Sequence, residues 1–427
     1  MDEPKLPEDI LGVIGELAES SDWDPPALRA LSLVSRVFIV PCQRALFRSI
    51  IINPFSPLGG NSTAQRICTK LRDLLRNNER LRNCVREIHF IQGYFSDLME
   101  SWLIGDVAAE ILGVLSTRPI HRISVVFPSA LDTPRRRWED LSSSFHDALY
   151  KIFDNPQFRQ LTLVNLESIP RHLPSRFPNI RYLTLEAVTF TTMPVGTDWI
   201  TALAPSGLQH LDLVYGAHAG HLHGPDQMDP IPNLDMNGIY SFTLSLPDTP
   251  INDLDVAPLL RLQHLKVLHI HFTSSVRSSY ASTGSWGMDL SALTSLEELT
   301  FSGKASERRD QTYVVLWDKA LHRCLSAYGP SSPRRLTIVY KLVDVDPERF
   351  LDDFVRSGRV TLLSMGLSLA HKRSQGKLEE ITIKLVTRDQ ITSSLQRKAT
   401  SLLSQRPRGV FRVEFSYGPL RPPYELL

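Results

Sequence analysis

The chain has little of several features that would reveal a chemical class, and each shortage excludes something. It contains only four cysteines in 427 residues, Cys42, Cys68, Cys84 and Cys324, and their spacing shows no pairing pattern. This excludes a disulfide scaffold and a zinc module built from linked cysteine pairs, and it suits a reducing compartment. A formal net charge of +1 argues against a dedicated nucleic-acid binder, which would carry a basic stripe.

Long apolar runs are also missing. No segment approaches the roughly 18–20 apolar residues that span a bilayer, and the charged, proline-containing first residues do not form a secretory signal. We therefore expect no membrane or nucleic-acid partner and a cytoplasmic or nuclear location. Phosphate-binding loops, dinucleotide glycine patterns and nucleophile elbows are missing too. The prediction is a protein without catalytic residues, cofactor or metal.

Two polar segments interrupt the chain, at residues 215–238 and 273–288. The first is rich in Gly, Pro and His, and the second is rich in Ser and Gly. Imidazoles and carboxylates that could ligate zinc occur in the first segment, at His218, His221, His223, Asp226 and Asp229. Because metal ligands need a second layer of groups to fix them and this stretch is full of Gly and Pro, we predict no metal site. Both segments are expected to be disordered or to carry binding aromatics.

What the chain does have is a strong helical signal in residues 6–50. Pro7 suits the first turn of a helix, and the carboxylates behind it complement the positive end of the helix dipole. A second helix is predicted to start at Pro25, and a third, short one at Pro41. Three helices in about 45 residues bury too little apolar surface to be stable alone. Leucines on several sides of this unit therefore predict a partner surface.

This segment resembles an F-box. The resemblance rests on the Leu6-Pro7 opening, on residues 31–38 (Leu-Ser-Leu-Val-Ser-Arg-Val-Phe) and on the basic and apolar residues of 41–50. The variant is similar to the F-box proteins abundant in mushroom-forming fungi. In that family the F-box binds the Skp adaptor, which connects it to the cullin of a ubiquitin ligase. The adaptor contacts implied by the resemblance are Leu6, Pro7, Ile10, Ile14, Leu31, Val34 and Phe38. The alternative is an ordinary helical cap on a larger domain.

The body of the chain contains one recurring repeat pattern, Leu-x-x-Leu-x-Leu and its close variants. Clear copies begin at Phe158, Ile180, Leu208, Leu265, Leu296 and Leu378, and weaker copies lie at residues 85–90, 120–125, 242–244, 335–338 and 410–415. Each copy ends in alternating apolar and polar residues, which predicts a half-buried strand. Amphipathic helices are predicted between several copies, over 67–75, 107–115, 145–153, 314–325 and 391–402. Stacked strand–helix units can share one core, as in a solenoid.

The body resembles a leucine-rich repeat array. The resemblance implies an α/β fold: a small N-terminal helical F-box followed by an irregular leucine-rich-repeat-like solenoid with parallel strands. The usual asparagine ladder is missing, and the repeat lengths are uneven, so we expect irregular turns. The alternative is a single mixed α/β domain without repeats. The predicted domains are an F-box (1–52), a connecting helix and linker (53–80), the solenoid (81–416) and a tail (417–427).

Alternate residues of each strand in such an array point away from the core. They predict a wall made of Tyr182, Thr184, Glu186, His210, Asp212, Val267, His269, His271, Glu298, Thr300 and Glu380. The candidate substrate-binding residues are Tyr182, Thr184, Glu186, His210, Asp212, His269 and His271. The wall is mixed in sign, which suits a neutral or mildly basic protein surface. The alternative is that this face is solvated and has no partner, and that the loops carry recognition instead.

Together the two resemblances imply a substrate-recognition subunit of a Skp–cullin–F-box ubiquitin ligase. Its partners would be the Skp adaptor, a cullin through that adaptor, and a protein substrate of unknown identity. Ligation would follow from the raised effective concentration of substrate near the ligase. Two alternatives remain open: an interaction scaffold whose F-box does not recruit a ligase, and an enzyme, which a cluster of perturbed titratable groups would indicate.

Overall fold

In a computed structural model the chain divides into two compact units. The first comprises Met1–Leu183 and Val188–Gly207, and the second comprises Thr184–Ala187 and Leu208–Leu427. The structure describes residues 10, 13–14, 17, 25–53, 61–91, 106–127, 136–170, 172–176, 178–191, 207–214, 238–247, 262, 264–273, 293–306, 333–343, 346–356, 374, 378–387, 393, 396–397 and 411–417.

The first unit combines helices with a parallel sheet. Its helices are α1 (Pro25–Val34), α2 (Arg36–Arg48), α3 (Asn61–Asn77), α4 (Glu79–Arg82), α5 (Asp106–Leu115) and α6 (Ser143–Phe153). Its strands are β1 (Ser49–Ile52), β2 (Glu87–Ile91), β3 (Arg122–Val126), β4 (Arg136–Arg137), β5 (Gln160–Val164), β6 (Leu166–Glu167) and the start of β7 (Tyr182–Glu186). Strands β1, β2, β3 and β5 pair in that order and in parallel. Strands β4 and β6 form a separate parallel pair.

The second unit is dominated by parallel strands that follow one another in chain order. They are β8 (His210–Val214), β9 (Ser241–Pro247), β10 (Val267–Thr273), β11 (Glu298–Ser306), β12 (Arg335–Val343), β13 (Glu380–Thr387) and β14 (Phe411–Tyr417). Helix α7 (Pro347–Arg356) lies between β12 and β13 in the chain. Every copy of the repeat pattern forms one of the strands, so the predicted α/β class with a large sheet of parallel strands is confirmed.

The apolar positions of the repeat pattern form the core of the sheet. In the copies that begin at Phe158, Ile180, Leu208, Leu265 and Leu296, fourteen apolar positions of the pattern are predicted to be buried. Thirteen of them are at most 4% exposed: Phe158, Leu161, Leu163, Ile180, Leu183, Leu185, Leu208, Leu211, Leu265, Leu268, Ile270, Leu296 and Leu299. The exception is Leu213, which is half-buried. It lies opposite Leu244 of the neighbouring strand, and nothing in the structure explains its exposure. The amphipathic helices α5 and α6 were also predicted correctly, since Ile111, Leu112, Phe145 and Leu149 are fully buried.

Successive strands are joined by the same main-chain arrangement in both units. The carbonyl just before one strand accepts hydrogen bonds from two successive N–H groups of the next strand. His121 O accepts from Arg159 N and Gln160 N, both at 2.9 Å, and Lys266 O accepts from Glu297 N and Glu298 N, both at 2.8 Å. This pair of hydrogen bonds to one carbonyl fixes the register of each strand against its neighbour.

Helix α2 corrects one prediction. Pro41 was expected to start a helix, but it lies inside Arg36–Arg48. The helix starts earlier because the Ser35 side chain accepts a hydrogen bond from Val37 N at 3.4 Å, which satisfies an N–H at the helix start. Pro41 removes one intrahelical bond, and burial of the flanking Phe38 and Cys42 offsets that loss.

Strand β1 was not predicted, and it lies within the range assigned to the F-box. Its apolar run shows no alternation, so the pattern gave no strand signal there. Several other predictions fall outside the described residues: the helix over 314–325, the helix over 391–402 except at residues 393, 396 and 397, and the polar segments over 215–237 and 274–288. Over the part of the chain that the structure describes, no helix is both long and apolar enough to cross a bilayer.

Candidate functional site

The helices α1 and α2, here called the helical pair, enclose a small core. Leu28, Phe38 and Cys42 are 3%, 2% and 0% exposed, and half-buried apolar residues pack around them: Ile14, Leu31, Ala45 and Leu46. A core of three fully buried side chains stabilises the helical pair only weakly.

Apolar side chains on the outside of the helical pair face solvent. Around Ser35, where α1 meets α2, Leu33 is 87% exposed, Val34 is 74% exposed and Val37 is 52% exposed. The described helical residues before α1 add three more exposed apolar side chains, Ile10, Val13 and Leu17. Clustered exposed apolar residues of this kind mark interaction surfaces. We call Leu33, Val34 and Val37 the apolar knuckle.

The predicted adaptor contacts are distributed over three environments. Ile10 and Val34 are exposed, Ile14 and Leu31 are half-buried against the core, and Phe38 belongs to the core itself. Leu6 and Pro7 lie outside the described residues. Leu33 and Val37 were not among the predicted contacts. The signal for Leu33 was present in the sequence, since helical spacing puts Leu28, Leu31 and Val34 on one stripe and Leu33 off it. The same spacing by itself predicts burial of Val34, which is wrong, because Val34 is 74% exposed.

The second unit presents a row of polar residues at matching positions of adjacent strands. The register aligns Asp212, Thr243, His269, Thr300, Thr337, Thr382 and Arg412. These positions alternate with the buried leucines, as the repeat pattern predicts. At one end Thr184 Oγ1 donates a hydrogen bond to Asp212 Oδ2 at 3.4 Å. Burial raises the pKa of Asp212 despite its threonine hydrogen bonds.

Glu186, at the end of β7, is the most perturbed acid on this face. Burial raises its pKa to about 7. Its Oε2 atom is buried and has no hydrogen-bond partner among the described residues. A carboxylate without a partner is poorly solvated in such a place, so the neutral form is favoured there.

Replacing Glu186 with glutamine is expected to stabilise the chain at pH 8 and to leave it unchanged at pH 4. The unfolded carboxyl ionises near its ordinary pKa of 4.5, whereas the folded one stays protonated until about pH 7. Stability is therefore lost as pH rises through this window, by at most about 3 kcal/mol. Urea unfolding at several pH values measures the effect, and the exposed Glu139→Gln is the control. An equal pH profile for wild type and Glu186→Gln would contradict the prediction.

Two histidines of β10 share one serine of β11. His269 Nε2 and His271 Nδ1 each lie 2.7 Å from Ser302 Oγ. Burial, reinforced by the charge of Lys341, lowers the pKa of His269 to about 4, so its imidazole is neutral at physiological pH. Since one hydroxyl hydrogen can serve only one ring, the other ring nitrogen must donate to Ser302. Ser302 is 1% exposed, which keeps its hydroxyl away from any substrate and favours a structural role.

His210 forms a second polar contact at the start of β8. Its ring stacks edge-on against Tyr240, with centroids 4.5 Å apart, and its Nε2 is hydrogen-bonded to the Tyr240 hydroxyl. Tyr240 was not among the predicted wall residues. It precedes β9 and therefore falls outside the alternation that the repeat pattern defines.

The structure thus brings the predicted wall residues into two small groups within the second unit, Thr184 with Asp212 and His269 with His271. Tyr182 is 41% exposed and lies in the part of β7 that belongs to the first unit. Among the described residues, no three His, Cys, Asp or Glu side chains are arranged to hold a metal ion. The arrangement offers polar recognition groups of mixed charge.

The first unit contains a buried polar group that sequence reasoning missed. His89 is 1% exposed, and its Nδ1 lies 2.9 Å from Ser124 Oγ. Its Nε2 lies 3.7 Å from Glu87, and contact with His89 lowers the pKa of that carboxyl more than any other neighbour does. The signal was ambiguous, because His89 occupies an ordinary alternate position of the repeat pattern.

Comparison with known proteins adds no family to these observations. No protein-family model matches the chain, and no curated protein matches it significantly.

Proposed function

We propose that this chain is the substrate-recognition subunit of a Skp–cullin–F-box ubiquitin ligase. The observation that carries the proposal is the apolar knuckle, whose three side chains are between 52% and 87% exposed. They project from a helical pair that already has its own core of Leu28, Phe38 and Cys42. Such side chains contribute favourable free energy only when a partner covers them and removes them from water.

The F-box resemblance names the partner, a Skp adaptor. Binding of the adaptor to the folded helical pair would stabilise it by mass action. The chain expressed alone is therefore expected to aggregate, and co-expression with a fungal Skp adaptor is expected to give a soluble complex. Addition of a cullin and the remaining ligase components then tests ubiquitin transfer. A soluble monomer that ignores the adaptor would reject the proposal, and adaptor binding without ligase recruitment would favour the scaffold alternative.

In this proposal the polar face of the second unit recognises the substrate. Its groups are mixed in sign, with Asp212, His269 and Arg412 in register with a row of threonines. His269 is neutral at physiological pH, because burial lowers its pKa to about 4. Burial raises the pKa of Glu186 to about 7, so this carboxyl is only partly ionised at neutral pH. Such a surface suits a neutral or mildly basic protein partner.

Simultaneous replacement of Thr184, Asp212 and His271 by alanine is expected to remove most substrate proteins from the captured set. The three changes delete polar groups from the face of the second unit. Mass spectrometry of proteins captured in cells, compared with wild type, measures the effect. Retained Skp binding shows that the helical pair is intact, and circular dichroism checks the rest of the fold.

A matched triple variant controls for the number of changes. Glu139, Lys151 and Asp154 are exposed and lie outside the main strands, so their replacement by alanine should leave the captured set unchanged. An unchanged set for the wall variant as well would place substrate recognition elsewhere on the chain.

A further inference from the structure

A groove of about 1050 Å³ opens in the first unit beside the starts of β1, β2 and β3. Its walls are mainly basic: the side chains of Arg44, Arg48, Arg80, Arg86 and His121 line it. The one described carboxylate in its lining is Glu79, and this group already pairs with Arg118 at 3.2 Å. The groove therefore concentrates positive charge in a chain whose net charge is only +1.

Two cations of this groove, Arg80 and Arg86, are not neutralised by a carboxylate among the described residues. Arg86 Nη1 donates to the backbone carbonyls of Asn83 at 2.7 Å and Val85 at 2.9 Å. Among the described residues, no carboxylate lies within ion-pairing distance of Arg80 or Arg86. Arg48 forms a long ion pair with Glu87 at 3.8 Å, and its side chain is 54% exposed. The guanidinium groups of Arg80 and Arg86 thus keep donors for an incoming anion.

Basic residues also follow the edge of the sheet, one just before each of the strands β1, β2, β3, β5 and β7. Five basic residues form a series along this edge, and from the second onward the backbone N–H of each donates a hydrogen bond to the backbone carbonyl of the previous member. The bonds run from Arg86 to Arg48 at 2.8 Å, from His121 to Arg86 at 2.7 Å, from Arg159 to His121 at 2.9 Å and from Arg181 to Arg159 at 2.8 Å. We call these five residues the basic edge. Because neighbouring strands lie about 4.8 Å apart, the basic edge extends over roughly 19 Å.

The equivalent positions of the second unit provide an internal comparison. There Lys266 pairs with Glu297 at 2.9 Å, and Arg334 lies 3.9 Å from Glu379. Cations and anions alternate along that edge, so its charges cancel locally. The same main-chain ladder thus carries five basic residues in the first unit and alternating charge in the second. Of those five, only Arg48 lies within 4 Å of a carboxylate among the described residues.

We propose that the groove and the basic edge bind an extended acidic segment of a protein. About six residues of extended chain cover 19 Å, and every second side chain faces the same way. Carboxylates at alternate positions lie about 6.7 Å apart, so three of them would face the five basic residues of the edge, whose long side chains can reach between them. None of the described lining residues is Phe, Tyr or Trp, so the stacking platforms typical of single-stranded nucleic-acid sites are missing from this lining. This activity goes beyond the proposed function and does not depend on Skp binding.

Fluorescence anisotropy with a labelled peptide tests the proposal. The probe is a fluorescein-labelled octapeptide of alternating Gly and Glu, titrated with the full chain fused to a solubility tag. Arg48→Gln combined with Arg80→Gln is expected to weaken binding about tenfold, the effect of losing two exposed charge contacts. Lys266→Gln combined with Arg334→Gln removes the same charge from the second unit and should leave the affinity unchanged. Binding should also weaken from 50 to 500 mM salt.

Several results would overturn the proposal. They are equal binding of the Gly-Gln octapeptide, equal losses in the two double variants, no binding of the Gly-Glu probe by wild type, and tighter binding of an eight-residue oligothymidine. A phosphoserine version of the probe distinguishes phosphate from carboxylate as the preferred anion. Circular dichroism of each variant checks the fold. Skp binding is measured separately, so failure of this proposal and failure of the proposed function can be distinguished.

Discussion

Replacing Val34 with aspartate is expected to abolish capture of the chain by a Skp adaptor while the helical pair stays folded. Val34 is 74% exposed, so the new carboxylate is solvated in the free chain. In the complex the same carboxylate would be buried without a partner, at a cost of several kcal/mol. A loss of roughly 100-fold or more in affinity follows. Co-purification and biolayer interferometry measure it.

The choice of Val34 over Leu31 matters for this test. Leu31 is half-buried against the core of the helical pair, so an aspartate there would disturb folding as well as binding. Ile67→Asp is the matched control, because Ile67 is 51% exposed and lies on α3, away from the apolar knuckle in sequence. Full adaptor binding by Val34→Asp would show that the knuckle is not the docking surface.

Replacing Phe90 with alanine is expected to cost about 3–5 kcal/mol in the stability of the first unit. Phe90 is 0% exposed in β2, and its ring meets that of Phe145 edge-on, with centroids 5.7 Å apart and planes at 77°. Its removal leaves a cavity between the sheet and α6 and deletes an aromatic pair. Native-state hydrogen exchange of amides in β2 and β3 measures the loss.

Two comparisons make this result specific. Tyr182→Ala removes an aromatic ring that is 41% exposed, and its effect should remain below about 1 kcal/mol. A double-mutant cycle of Phe90 and Phe145 should give a coupling of about 0.5–1.5 kcal/mol. Unchanged exchange protection in Phe90→Ala would mean that β2 does not pack as described.

The strands were the most predictable part of the fold. Alternation with a period of two shows which side chains of a strand are buried, and its recurrence in many copies favours a parallel array. Both inferences need only local sequence. Leu213 departs from the rule and is half-buried, although its position in the pattern matches that of the buried Leu185. Pattern alone therefore predicts the direction of a side chain better than its degree of burial.

The candidate sites were less predictable, because they depend on register and on burial. Arg48, Arg86 and His121 are far apart in sequence, and each looks like an ordinary basic surface residue. Only strand pairing places them side by side. The raised pKa of Glu186 is similarly hidden, since it follows from burial of a carboxyl group that the alternation assigns to the polar face. Leu33 is the counterexample, because its position off the apolar stripe indicated exposure directly.

The repeated main-chain ladder has a consequence for how this chain can change during evolution. Each strand is held by bonds at its own start, so the register does not depend on how much chain precedes it. The interval between equivalent positions already ranges from about 20 residues (Arg159 to Arg181) to about 45 (Arg334 to Glu379), as uneven repeats allow. Doubling a flexible connection costs only about 0.6 kcal/mol in closure entropy. Insertions and deletions can therefore accumulate between strands and remodel the rim of the sheet while its strands stay aligned.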